Sequence, residues 1–431
     1  MADRIVPTSL IPLIAILAAA RPADAGQPAT SFAFDFSAGA AKPGYVSVWH
    51  DTAYTQELGY GFDLGTAPIA FLGGVTSAKP FFFSVGVPEG NYSVTIKFGD
   101  PALACVTTVK AESRRLMLER VETAAGRFAT HTFDVNVRNA KLPAPPQNAP
   151  GGDHVRLNDR EQGVLHWDDK LTLEFSNTRP CVDSIEVHKV DNIPTVFLAG
   201  DSTVTDQTRE PTTSWGQMIT RFFKPGVAVA NHAESGETLK SFLTGLRLDK
   251  ILSQIRKGDY LFIQFGHNDM KENWPQTYVE PFTTHKQYLK VFIAEARRRG
   301  AIPVLVTPMQ RRNFDAQGRV RNTLGEFPAS IRQTAREENV PLIDLAAMST
   351  TLYEALGPEK SWLAFSGGRD ATHHSAYGAY ELAKCVVECI KAQRLELARY
   401  VVDDFRGFDP AHPDPPDAFQ VPASPAAAKI K

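Results

Sequence analysis

The hydrophobic periodicity of this chain changes at Asp191-Asn192-Ile193-Pro194. Before that point, short apolar runs alternate with polar residues at period two. After it, strand-like apolar runs alternate with amphipathic helical stretches. Strands separated by helices are joined by crossovers and run parallel, whereas strands separated only by turns pair antiparallel. The chain therefore reads as an antiparallel β unit followed by an α/β unit. Its 431 residues are enough for two domains of ordinary size.

In the first unit the candidate strands are 31–36, 81–87, 91–98, 106–111, 127–137, 170–175 and 184–190. Tyr92, Val94, Ile96 and Phe98 alternate with polar residues, as a half-buried strand requires, and Pro88-Glu89-Gly90-Asn91 reads as a turn. Many short strands divided by turn signals imply a β-sandwich, and the Pro-, Gly- and Asn-rich stretch 141–153 reads as a long surface loop. Trp49, His50, Tyr54, Tyr60 and Trp167 are candidates for a sugar-stacking surface, with core or rim packing as the alternative. Asn91-Tyr92-Ser93 fits a glycosylation acceptor, although it falls at a strand start.

In the second unit the expected strands are 195–199, 227–231, 260–265, 302–307 and 341–345. Helical patterns fall between and after them at 214–223, 239–256, 288–299, 328–338 and 376–394. This predicts a three-layer α/β/α, doubly wound parallel sheet with its functional loops at the carboxyl ends of the strands. The segment 405–431 is dense in Pro, Asp and Ala and cannot bury a core of its own. It reads as an extended or disordered tail, its start tacked down by Phe405 and Phe408.

Arg4, the apolar run 10–20 and the small-x-small Ala23-Asp24-Ala25 have the form of an export signal over 1–25, too short for a membrane span. The mature protein is expected to be soluble and exported, to the periplasm or beyond the cell. The expected organisation is a signal at 1–25, a β-sandwich at 30–190, an α/β domain at 191–404 and the tail at 405–431. A net charge of -2 gives no electrostatic reason to bind nucleic acid or an anionic membrane. Export permits disulfides, and Cys105 and Cys181 could pair. Cys385 and Cys389, four apart in a helical pattern, read as buried apolar groups. There is no C-x-x-C and no H-E-x-x-H, so no metal site is expected.

Chemistry enters at Thr195-Val196-Phe197-Leu198-Ala199-Gly200-Asp201-Ser202-Thr203, where a buried strand breaks at Gly-Asp-Ser and presents a hydroxyl at the sheet's carboxyl edge. Ser202 is the candidate nucleophile, a helix-capping serine the alternative. A serine hydroxyl needs a base to take its proton, and the base needs an acceptor to fix its tautomer. Asp370-Ala371-Thr372-His373 supplies both on one loop. Capping is the alternative for Asp370 and Ser375, and His374 is a candidate substrate contact, with a solvated neighbour of His373 as the favoured alternative. Gly236, ahead of a helix, can aim a backbone N–H at an anion. Asn268, in Gln264-Phe265-Gly266-His267-Asn268-Asp269, offers an amide donor. In the same run His267 reads as packed or solvated, and Asp269 as a local hydrogen-bond acceptor.

Gly200-Asp201-Ser202, Gly236, Gly266-His267-Asn268-Asp269 and Asp370-x-Thr372-His373 occur in the order of the signature blocks of the GDSL, or SGNH, hydrolases, which the stretch 195–394 resembles. Thr203 stands where the first name of that family has Leu. The runs Asn231-x-Ala233-x-x-Gly236-x-Thr238-x-x-Ser241-Phe242 and Asp370-x-Thr372-His373-x-Ser375-x-x-Gly378-Ala379 resemble those of the rhamnogalacturonan acetylesterases. Many of those enzymes have a basic residue after the block glycine; this chain has Glu237. Asp35-Phe36-x-x-Gly39 and Gly59-Tyr60-Gly61-Phe62 resemble an accessory domain found ahead of some members.

The resemblance implies a flavodoxin-like SGNH catalytic domain behind a galactose-binding-like or jelly-roll β-sandwich. It also implies a serine esterase without metal or cofactor. Ser202 is the implied nucleophile, His373 the base and Asp370 its orienter. The N–H groups of Ser202 and Gly236 and the Asn268 amide are the implied oxyanion donors. The implied substrate is an acetylated, acidic pectic polysaccharide or oligosaccharide. The loop bearing Arg311, Arg312, Arg319 and Arg321 is a candidate receiver of a galacturonate carboxylate, with a solvated basic loop as the equal alternative. The rival readings are an esterase acting on acetyl-xylan or a lipid ester, and a non-catalytic glycan-binding protein.

Overall fold

The computed structural model describes residues 29–39 and 42–425. The expected export signal at 1–25 lies outside the described residues. The strands before Asp191 are β1 (Ser31–Asp35), β2 (Val46–Ser47), β3 (Tyr60–Asp63), β4 (Ile69–Phe71), β5 (Gly74–Thr76), β6 (Phe81–Gly86), β7 (Gly90–Gly99), β8 (Cys105–Ala111), β9 (Arg115–Thr123), β10 (Phe128–Val137), β11 (Lys170–Arg179) and β12 (Cys181–Lys189). They form two facing sheets, β10-β7-β12-β1-β2 (with β5 and β4 added at β12) and β3-β6-β11-β8-β9. All pairings are antiparallel except the short β1–β2 contact. Alternation puts Phe34, Ile96, Phe98, Ile185, Phe83 and Phe175 between the sheets, all fully buried. Cys105 of β8 is disulfide-bonded to Cys181 of β12, which ties one sheet to the other.

The strands after Asp191 are β13 (Thr195–Gly200), β14 (Ala228–Asn231), β15 (Tyr260–Gln264), β16 (Ile302–Val306) and β17 (Leu342–Ile343), and the helices are α1 (Trp215–Met218), α2 (Leu239–Thr244), α3 (Arg247–Leu252), α4 (Lys286–Arg298), α5 (Phe327–Glu338), α6 (Leu345–Lys360) and α7 (Ala376–Ala392). The sheet is wholly parallel, in the order β14-β13-β15-β16-β17. One face is covered by α1, α6 and α7 through Trp215, Tyr353 and Val386; the other by α2 to α5 through Phe242, Ile251, Phe292 and Ile331. The chain leaves β13 toward β14 on one side and continues to β15 on the other. The mouth above β13 is therefore the switch point at which doubly wound sheets bind ligands.

Several expectations are corrected. The helix expected over 239–256 is two helices, because Leu246 takes a left-handed conformation (φ 60°) after Gly245. Five strands, β2 to β5 and β9, and a long helix, α6, are not among the expected elements. Asn91 is buried between the two units, donating to Thr195 Oγ1 (2.8 Å) and accepting from Asn136 Nδ2 (2.8 Å), so its amide does not face solvent as a glycan acceptor must. The five aromatic candidates do not form one stacking surface. Tyr60 packs on Phe34, Trp167 lies against Arg138 and His232, and Trp49 stands exposed.

The expected tail has one short helical turn, Pro416–Ala418, and is docked onto the body at intervals. Phe405 packs on Phe222 and Phe419 on Tyr380. Lys110 of the sandwich then donates to the Pro422 carbonyl (2.7 Å) and to Ser424 Oγ (2.8 Å). A proline-dense segment with scattered aromatics thus straps the two units together without a core of its own. The turn between β8 and β9 plugs into the α/β unit from the other direction. Arg114 donates to the carbonyls of Gln207 (3.1 Å) and Thr212 (2.9 Å), Gln217 donates to the Ser113 carbonyl (2.7 Å), and Arg115 pairs with Asp206.

Candidate active site

Ser202 follows β13 directly, where Gly200 lets the chain turn under the sheet edge: a side chain there would meet Val204 at 2.7 Å and the Gln264 carbonyl at 3.0 Å. The turn is fixed from below. Asp201 accepts the Thr203 N–H (2.9 Å) and hydroxyl (2.8 Å), Thr203 Oγ1 accepts from Gln264 Nε2 (2.7 Å), and Gln264 Oε1 accepts from Trp215 Nε1 (2.9 Å). Thr203 is thus a buried polar link, which accounts for its standing where a leucine is usual. Burial pushes the Asp201 carboxyl above its ordinary value, and the Thr203 donors offset only part of this. From the side, Asn231 at the end of β14 donates to the Val204 carbonyl (2.6 Å) and to Asp206 (2.8 Å).

The loop before α7 brings its two residues to this turn. His373 Nε2 lies 2.8 Å from Ser202 Oγ, and His373 Nδ1 lies 2.8 Å from Asp370 Oδ2. Asp370 Oδ1 also accepts the N–H groups of Thr372 (2.9 Å) and His373 (3.0 Å). Burial alone would raise the Asp370 carboxyl, but these donors and the imidazole outweigh it and hold it below the usual carboxylate value. The carboxylate therefore stays charged against the ring, as a partner for a forming imidazolium must. The loop is anchored by α7, whose start Ser375 caps by accepting the Gly378 N–H (3.2 Å). Gly378 has no room for a side chain, which would overlap the Ala364 carbonyl.

The three expected oxyanion donors, Ser202, Gly236 and Asn268, lie on the turns that follow β13, β14 and β15. Among the described residues, neither the Ser202 N–H nor the Gly236 N–H finds an acceptor. Asn268 has its carbonyl oxygen held by Lys271 Nζ (2.7 Å), which turns its amide nitrogen toward the Gly236-Glu237 turn, where it donates to the Glu237 carbonyl (3.1 Å). Asp269 accepts the N–H groups of Leu239 and Gly266, both at 2.9 Å, and burial pushes its carboxyl up to about 7. It ties the loop after β15 to the start of α2 and does not face the serine. His267 is buried, and desolvation holds its imidazole well below the ordinary value. Glu237 is pinned by Arg247 Nε (3.1 Å) and Ser241 Oγ (2.5 Å), so it does not stand in the mouth as a loose negative charge.

Three candidate substrate contacts are differently employed. His374 is not at the surface: it is 1% exposed, its Nε2 lies 2.6 Å from the Tyr353 hydroxyl, and its ring packs on Phe365. Its backbone bridges to Thr213 and Phe365, and this extended pairing turns the side chain inward. Arg311 donates to the carbonyls of His267 and Thr323, both at 3.1 Å, and so braces the Asn268 loop. Arg312 stacks on Trp362 and donates to Ser361 Oγ (3.0 Å) and the Pro358 carbonyl. Both guanidiniums are committed to the protein. Sequence reasoning missed Asp206 and Gln264, which hold the nucleophile turn through Asn231 and Thr203. The one available signal was an isolated acid, Asp206, four residues beyond a candidate nucleophile.

A serine at a strand end, hydrogen-bonded to a histidine and an aspartate on the loop before the last helix, lies at the carboxyl edge of a doubly wound sheet. Residues 198–379 match the model of the GDSL-like Lipase/Acylhydrolase family. The chain is 44% identical over 221 residues to rhamnogalacturonan acetylesterase RhgT of Bacillus subtilis (strain 168), covering 48% of this chain and 94% of that protein. It is 40% identical over 215 residues to the probable rhamnogalacturonan acetylesterase YesY of the same organism, covering 48% and 98%. A longer match, 27% identical over 380 residues, covers 84% of this chain and 91% of the uncharacterized esterase YxiM, also from that organism. The chain belongs to the GDSL-like lipase/acylhydrolase family and is a carboxylic-ester hydrolase.

Proposed function

We propose that this chain is a carbohydrate esterase that removes acetyl groups from an acidic pectic polysaccharide, rhamnogalacturonan, through an acyl-enzyme on Ser202. The observation that carries the mechanism is the hydrogen-bonded line from Ser202 Oγ through His373 to Asp370, 2.8 Å at each step. His373 Nε2 takes the hydroxyl proton as Oγ attacks the acetyl carbonyl. Asp370 holds the tautomer and stabilises the imidazolium. The Ser202 and Gly236 N–H groups and the Asn268 amide receive the oxyanion. The imidazolium protonates the departing sugar alcohol, and water then attacks the acetyl-serine by the reverse proton route. The pectic substrate is supported by the names of two bacterial relatives, 44% and 40% identical to this chain over 221 and 215 residues. The same machinery serves acetyl-xylan as a second reading. On this proposal catalysis belongs to 191–404, and the segment 1–25 exports the chain to where polysaccharide is met.

The test is acetate release from acetylated rhamnogalacturonan and from acetyl-xylan, for wild type and Ser202→Ala. Preferential release from the pectic polymer, abolished in the variant, is expected. Release mainly from xylan overturns the substrate, and an active Ser202→Ala enzyme overturns the mechanism.

A further inference from the structure

Besides Arg114 and Arg115, which brace the nucleophile turn from below, the front sandwich sends Arg160 toward the Gly236 turn of the proposed acyl-transfer site. Arg160 lies in the short turn Asp159–Glu161 between β10 and β11. Its Nε donates to Glu234 Oε1 (2.6 Å) and its Nη2 to the Ser235 carbonyl. Glu234 in turn donates its N–H to the Gly200 carbonyl (3.1 Å) and accepts from Thr205 Oγ1 (3.5 Å). The guanidinium is thereby anchored to residues on both flanks of Ser202. A side-chain carbon built on Gly236 would stand 3.6 Å from Arg160 Nη2. Arg160 Nη1 has no partner among the described residues, and the side chain is 58% exposed.

Beside it, along the seam of the two units, runs a cavity of about 490 Å³. Arg160 and Gln162 line it from the sandwich; Thr208 and Arg209 line it from the loop that follows Ser202. Gln207, next to them, donates to the Ser202 carbonyl (2.6 Å), so this wall is continuous with the nucleophile turn. Arg209 is exposed and takes no ion-pair partner among the described residues. The lining acids largely cancel within the protein. Glu174 faces Lys110 (3.7 Å), and Glu112 is buried with its carboxyl pushed well above the ordinary value by desolvation, which leaves Asp159. Burial and the Glu161 charge push the Glu234 carboxyl above its ordinary value, against the pull of Arg160 and Arg247.

We infer that this seam is a substrate subsite in which Arg160 and Arg209 receive the carboxylate of a uronic-acid residue neighbouring the acetylated sugar, an inference that rests on the pectic reading above. A guanidinium presents parallel N–H donors that match a carboxylate, and one already held in place loses little rotamer freedom on binding. The sandwich thereby takes part in substrate recognition. It forms one wall of the cleft, and without it the α/β unit has Arg209 but not Arg160.

The test uses an unacetylated rhamnogalacturonan oligosaccharide as a competitive inhibitor of 4-nitrophenyl acetate hydrolysis by the full chain. Inhibition does not require the polymer to be a substrate, so it is independent of the acetate-release assay. Wild type is inhibited, and the inhibition weakens as salt rises. In Arg160→Gln and in Arg209→Gln the inhibition constant rises about tenfold, and Arg160→Lys recovers part of that loss. A neutral xylo-oligosaccharide shows no such difference between wild type and variants. Arg209 is exposed and its side chain makes no hydrogen bond or ion pair among the described residues, so Arg209→Gln is expected to fold as wild type, which its thermal midpoint checks. Equal inhibition of wild type and both variants, or no inhibition of wild type, overturns the subsite whether or not the enzyme proves to be a pectic esterase.

Discussion

Arg115 of the sandwich donates its Nε to Asp206 of the α/β unit at 2.8 Å, and both side chains are almost wholly buried. Asp206 lies four residues beyond Ser202 and also accepts from Asn231, so a front-domain cation sits beneath the nucleophile turn. Removing Arg115 takes away the one direct guanidinium hydrogen bond to buried Asp206 and leaves Arg138, at 3.7 Å, as its ion-pair partner. Arg115→Ala is therefore expected to cost about 3 kcal/mol or more. Because the pair spans the seam, the two units should lose stability together in one calorimetric transition. A variant in which the sandwich melts unchanged while only the α/β unit shifts would contradict this.

Ser202 and His373 act as one unit if Oγ surrenders its proton to Nε2. Ser202→Ala and His373→Ala should each lower kcat by about 10⁴-fold or more, and the double variant should lose no more than either single one. Single-turnover kinetics on a small acetyl ester measure this. Multiplicative losses would mean that the two side chains act separately.

Asn268 is aimed by Lys271, not by chance packing. Asn268→Ala should lower kcat by roughly 10²–10³-fold with little change in KM, the scale of one lost oxyanion donor. Lys271→Met, which frees the amide to rotate, should fall in the same direction by a smaller factor. If Lys271→Met proves the more damaging, the lysine has a direct part of its own.

The blocks around Ser202, Gly236, Asn268 and His373 were legible because each is a short turn at a strand or helix end, where a few residue types decide the backbone. The parallel sheet was legible for the same reason: apolar runs such as Thr195-Val196-Phe197-Leu198-Ala199 can only be buried on both faces. What escaped depends on partners far away in the chain. β9 carries Arg115, Glu119, Arg120 and Glu122, and reads as a polar stretch until Arg115 is seen to be spent on Asp206. α6 has polar Ser349-Thr350-Thr351 in its middle and a kink at Gly357 (φ 73°). Arg160 carried no signal, since its meaning lies in Glu234 and Gly236, on the other unit. His374 was misplaced because adjacency to His373 says nothing about direction, and extended neighbours point oppositely.

His374 provides a test that does not depend on the substrate. Its ring is buried against Tyr353 and Phe365, and desolvation pushes its pKa down to about 3, against an ordinary value near 6.5. Between those limits the unfolded chain binds a proton that the folded chain does not, so the folded state loses stability as pH falls. The loss is about 1.4 kcal/mol per pH unit below 6.5, and it vanishes above that pH, where both states are neutral. Glutamine can still accept from the Tyr353 hydroxyl but does not titrate. His374→Gln should therefore be somewhat less stable than wild type at pH 8 and should overtake it as the pH is lowered toward 5. Urea unfolding of both proteins at pH 8, 6.5 and 5 gives the difference directly. A constant gap across the three would show that His374 titrates normally and is reached by solvent, as a substrate contact would be.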